Sequence, residues 1–101
     1  MIKERLLTTL SIIEATEKVT GISSMILRGS SRENSVVQAR NLCYKIAKDH
    51  LFLSDKYISK CFGRDRSAIT YALKHIGRKL EQRPQYKKTL EAIEEELGLN
   101  G

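Results

Sequence analysis

The sequence predicts an all-α domain organised around a helix-turn-helix. Every long segment repeats its apolar residues with a helical period, and no stretch alternates for long as a strand must. A short helix, a glycine-containing turn and a longer helix then follow one another between residues 54 and 80. At 101 residues the chain suffices for one modest core and not for two. Residues 1–101 are therefore expected to form a single domain of five to six helices.

The elements follow in order. Residues 2–19 set Ile2, Leu6, Leu7, Leu10 and Ile13 at helical spacings and predict an amphipathic helix that Gly21 ends. Residues 22–27 form one short helical turn, and the polar run 28–35 reads as a loop. Ser35 is placed to cap a second long helix over 36–49, with Val36, Ala39, Cys43, Ile46 and Ala47 on its buried side. Ser54 caps a two-turn helix through Phe62, and Gly63 supplies the positive φ of a tight exit. Asp65 sits at the cap of the next helix, which runs to about Leu80 on the stripe Ile69, Ala72, Leu73, Ile76 and Leu80. Pro84 stops its continuation, and 85–97 make a last helix before Gly98.

Composition narrows the function classes. The chain is 41% hydrophobic and 30% charged, an ordinary globular balance rather than that of a disordered or membrane chain. No apolar run spans a bilayer, and the start Met-Ile-Lys-Glu-Arg leads into no signal-peptide stretch, so a cytoplasmic protein is expected. Cys43 and Cys61 stand far apart, and His50 and His75 have no ligand partners in sequence, which argues for no metal and no cofactor. The net charge of +6 is unevenly spread. Residues 28–83 carry thirteen basic against five acidic side chains, whereas 84–101 carry two against four. A polyanion suits the middle segment, and a solvated basic surface is the plainer alternative.

The helix-turn-helix leaves one face of its second helix for solvent, holding Arg66, Ser67, Thr70, Tyr71, Lys74, His75 and Arg78. Arg can grip guanine bidentately, Ser and Thr serve either edge, and Lys74 and Arg78 can neutralise phosphates. The first turn, Asp65 to Ala68, would face base edges, with Asp65 available to cytosine and the Ala68 methyl to thymine. Asp65 serves equally well as a plain helix cap. Arg28 and Arg32, beside Gly29 and serines, could follow a phosphate strand or enter a minor groove.

The run Phe62-Gly63-Arg64-Asp65-Arg66-Ser67-Ala68-Ile69-Thr70-Tyr71-Ala72, continued by Lys74-His75-Ile76, resembles the signature of the C-terminal DNA-binding domain of the bacterial replication initiator DnaA. Upstream, Gln38-Ala39-Arg40 and Ile46-Ala47-Lys48-Asp49 are similar to another helix of that family, so the likeness covers about residues 9–80 and leaves 84–101 as an extra C-terminal helix. The resemblance implies a Trp-repressor-like all-α fold that binds a short asymmetric box of double-stranded DNA, in a bacterium or a phage. It places Asp65, Arg66, Ser67 and Ala68 at base-reading positions in the major groove and Arg32 in the minor groove. It assigns Arg40 and Lys48 to phosphates and sets Lys74 behind the helix; Arg28, Arg64, Thr70 and Arg78 complete the expected backbone contacts.

Departures from the family pattern are specific. Arg66 stands for its His, Ala68 for one Thr and Gly63 for its paired glycines, and the 28–35 loop is poorer in basic residues. A different target sequence is the consequence expected. No Gly-x-x-x-x-Gly-Lys-Ser/Thr phosphate loop and no catalytic constellation is present, so a binder lacking the ATPase is expected rather than an enzyme. The acidic run Glu91, Glu94, Glu95 and Glu96 reads as a solvated face. The expected partner is double-stranded DNA at the nucleoid, with no membrane and no small-molecule substrate. A monomer is expected, with a dimer contact through the first helix as the alternative. A protein–protein adaptor with an incidental basic face is the rival function; RNA binding is disfavoured by the few aromatics.

Overall fold

The computed structural model describes residues 8–99, which form six helices and no strand. The first, α1 (Thr9–Thr20), begins later than the apolar pattern suggests. Thr8 is extended, its hydroxyl accepts from the Ser11 N–H, and the Ser11 hydroxyl accepts from the Thr8 N–H in return. This reciprocal cap breaks the continuous 2–19 helix; Ile2, Leu6 and Leu7 lie outside the described residues. Leu10 is also corrected, being 52% exposed, while Ile12, Ile13, Ala15 and Thr16 form the buried face. Gly21 ends α1 in the left-handed region as expected.

After a serine-capped turn, α2 (Ser24–Arg28) leads through a five-residue loop into α3 (Asn34–Leu51), the central helix. Ser35 does not cap α3. The helix starts two residues earlier, no side chain among the described residues caps it, and the Ser35 hydroxyl donates to the Glu33 carboxylate at 3.3 Å. The predicted buried side of α3 is correct at all five positions, and Leu42, Tyr44 and Arg40 join it. The helix runs past Asp49 because no glycine marks its end. Phe52 instead adopts a left-handed conformation at φ 57° while 84% of its surface stays in solvent.

Next, α4 (Asp55–Phe62) and α5 (Arg66–Gln82) form the helix-turn-helix, and α6 (Pro84–Glu96) closes the domain. Arg83 alone separates α5 from α6, and Pro84 occupies the first turn of α6, where its missing N–H costs nothing. The core gathers on α3, which packs against α1, α2, α4 and α5, while α6 rests on α1 and α5. Ile12, Leu27, Leu42, Ile46, Ile58, Ile69 and Ile93 are fully buried, one or two from each helix. Tyr44 and Phe62 meet edge to face at 5.0 Å and join α3 to the end of α4. Tyr86 of α6 donates to the Gln38 carbonyl at 2.8 Å.

The acidic end is less solvated than its composition suggested. Glu94 faces His50 at 3.2 Å and Glu96 faces Lys18 at 3.0 Å, tying α6 to α3 and α1. Cys43 is wholly buried beside the Thr16 hydroxyl, and burial pushes its thiol up to about 11. Cys61 is half-buried and also free. No helix among the described residues is long and apolar enough to cross a membrane.

Candidate nucleic-acid interface

Local sequence dictates how α5 is presented. The Ser54 hydroxyl accepts from the Tyr57 N–H at 3.1 Å and starts α4; Gly63, at φ 63°, ends it. The left-handed residue turns the chain so that Arg64 N–H returns to the Ser59 carbonyl at 2.9 Å. Extended Asp65 then opens α5, its carbonyl accepting from the Ala68 and Ile69 N–H groups. Its carboxylate makes no capping hydrogen bond, so the side chain that could have been spent on the helix is not.

The buried and exposed sides of α5 divide as the periodicity requires. Ile69 and Ile76 are buried and Ala72, Leu73 and Leu80 pack beside them. Asp65, Arg66, Ser67, Ala68, Thr70, Lys74 and Arg78 are exposed, as is Tyr71, whose ring lies against His75 at 4.3 Å. Between α3 and α5 runs an open groove of about 490 Å³ lined by Arg40, Arg64, His75 and Lys79 among others, with no acidic side chain in its wall. Its potential is positive for that reason.

Two arginines expected to touch DNA face inward instead. Arg40 is 4% exposed. Its guanidinium donates to the carbonyls of Leu27 at 2.9 Å, Ser31 at 3.2 Å and Gly29 at 3.2 Å. The phosphate contact expected of Arg40 is therefore replaced by a role inside the protein, where it shapes the 29–33 loop. Arg64, half-buried, also donates to the Gly29 carbonyl, and its Nε is buried without a partner among the described residues. Burial, and then the neighbouring Arg64 charge, lower the Arg40 pKa. The carbonyls these guanidiniums serve offset part of this mutual cost. The result leaves Arg28, at the end of α2, and Arg32, within the loop, exposed on a segment fastened to the helix-turn-helix turn.

A third link involves a residue the sequence reading passed over. Asp55, in the first turn of α4, accepts from Lys48 Nζ of α3 at 2.7 Å and from the Thr70 hydroxyl of α5 at 2.6 Å. These two hydrogen bonds, Lys48 first, hold its carboxyl below the usual carboxylate range. Lys48 and Thr70, both expected to meet the DNA backbone, thus share one acidic partner. Nothing in the sequence pairs Asp55 with residues seven positions before and fifteen after it; only the fold brings them together.

The sequence has recognisable relatives. The family described as bacterial dnaA protein helix-turn-helix matches residues 10–76. The chain belongs to that family. Its relatives include the chromosomal replication initiator protein DnaA of Nautilia profundicola, 27% identical over 94% of this chain and 22% of the relative. The DnaA of Kosmotoga olearia is 35% identical over 64% of this chain and 14% of the relative. That of a Picosynechococcus species is 25% identical over 85% and 19% respectively. The chain thus spans between 14 and 22% of the length of these DnaA proteins in the matched regions. In the DnaA family match α1 to most of α5 are included, and α6 lies beyond it. Among the described residues no cluster of three or more metal-ligating side chains occurs.

Proposed function

We propose that this chain binds double-stranded DNA with sequence selectivity, in a role related to recognition of a replication origin. The N-terminal turn of α5 enters the major groove, where Asp65, Arg66, Ser67 and Ala68 meet base edges. Arg32 reaches the adjacent minor groove from the 29–33 loop, while Arg28, Lys74 and Arg78 line the phosphates and Lys48 and Thr70 stay held by Asp55. Arg64 stands at the junction of loop and turn. The observation that carries this reading is the exposed, basic first half of α5 with a second arginine-bearing segment fastened beside it. Membership of the DnaA helix-turn-helix family supports it.

Selection from a randomised duplex pool at about 150 mM salt tests the proposal. A recovered motif should bind at least ~10³-fold better than a scrambled duplex. Arg66→Ala should then cost about 1–3 kcal/mol on that motif and relax selectivity at one base pair. Lys74→Ala should weaken all duplexes alike and lower the salt slope by about one. Absence of any enriched motif, with weak and steeply salt-dependent binding, would leave a basic surface alone and favour a protein-binding adaptor.

A further inference from the structure

The carboxylate of Asp55 is out of place on a surface built for a polyanion. It sits 21% exposed on the side of α4 that meets α5, among Lys48, Lys56 and Arg66, where a phosphate strand would be repelled by it. The first turn of α4 by itself favours a carboxylate there, but that local gain does not account for its reach to two other helices, and a surface ion pair contributes little to folding. Its two oxygens are divided between two neighbours. One holds Lys48 of α3, and the other holds Thr70, one helical turn beyond Arg66 on α5. Residues four apart lie on the same side of a helix, so a restraint on Thr70 sets the rotation of Arg66 about the axis of α5. The apolar contacts of Ile58, Phe62 and Ile69 press α4 and α5 together, but they do not define that rotation as a directional hydrogen bond does.

We propose that Asp55 is a positioning residue for DNA reading. It fixes the roll of α5 through Thr70, and it restrains and neutralises Lys48 so that backbone contact alone gains little. Loose, non-specific binding then meets a carboxylate and a lysine already paired, while a seated recognition helix recovers the cost through its base contacts. This inference rests on the DNA-binding reading and adds to it a device that raises selectivity by weakening the wrong complexes.

The test compares the wild-type chain with Asp55→Asn and Thr70→Val on the selected duplex and on its scramble, across a range of salt. Asp55→Asn releases Lys48 and removes a negative charge. Its affinity for the scramble should rise about 3–5-fold, and its salt slope should steepen by about one. Thr70→Val keeps the Lys48 pair, so its selectivity should fall while its salt slope stays that of wild type. Circular dichroism confirms that each variant is folded; should Asp55→Asn fail to fold, Thr70→Val still decides the positioning role. Equal losses on both duplexes, or an unchanged selectivity ratio and slope, overturn the inference while leaving DNA binding intact. A wild-type chain with no preference between the duplexes overturns the inference together with the reading beneath it.

Discussion

Arg40 and Arg64 reach the same Gly29 carbonyl, and neither has an acidic partner among the described residues. A guanidinium suits this work because its planar fork can serve several carbonyls at once, which an ammonium cannot. Arg40→Ala would strand the carbonyls of Leu27 and Ser31, leave that of Gly29 to Arg64 alone, and lower stability by about 2–4 kcal/mol, read as a lower urea midpoint at unchanged slope. Arg40→Lys should recover little of it. The sequence could not reveal this role. An arginine that grips phosphate and one that grips carbonyls are the same residue type, and only burial tells them apart. The neighbouring candidates were easier to place, because helical period alone puts Ser67, Lys74 and Arg78 opposite Ile69 and Ile76, and Arg66 and Thr70 share one side of the helix outside the apolar stripe.

At the scale of the element, what could be read depended on whether the chain used the usual punctuation. Ser54, Gly63 and Pro84 stand where the caps and stops of α4, α5 and α6 fall. The ends without such residues went astray. α3 starts uncapped at Asn34 and ends on Phe52, and the start of α1 is set by a Thr8–Ser11 pair that apolar spacing does not register. Phe52 and Gly63 share a left-handed backbone, so substitutions there should act in opposite directions. Phe52→Asn relieves strain without uncovering buried surface and should raise stability by about 0.5–1 kcal/mol. Gly63→Ala meets no neighbour within 4 Å, yet should lower stability by about 1 kcal/mol through backbone strain alone. Thermal melts of the two variants measure both signs.

Taken whole, the molecule separates a basic side from a core that resists ionisation. Burial raises the Cys43 thiol to about 11 and the Tyr44 phenol to about 12, and raises Tyr86 as well. The ordinary values are 9.0 for the thiol and 10.0 for the phenols. A group whose folded value lies above its unfolded one keeps its full contribution below the unfolded value. It loses that contribution as pH climbs through the folded value. Stability should therefore hold up to about pH 9 and decline above it, as urea midpoints taken on a rising pH series would show. A midpoint that stays level through pH 11 would contradict the burial assigned to these groups. The order of the helices and the core positions on α3 followed from periodicity, but the way three helices converge on Asp55 did not, because long-range pairing leaves no local trace.

The carbonyl of Gly29 has one more consequence. Held by a donor from α3 and another from the turn before α5, the arginine-bearing loop is fastened to α5. In the proposed complex with duplex DNA, where each base pair advances the grooves by about a tenth of a turn, such a body would behave like two teeth cut on one gear. A base changed under either tooth would weaken the bite. One base pair inserted between them would throw the second tooth out of mesh, however well each half of the site matched.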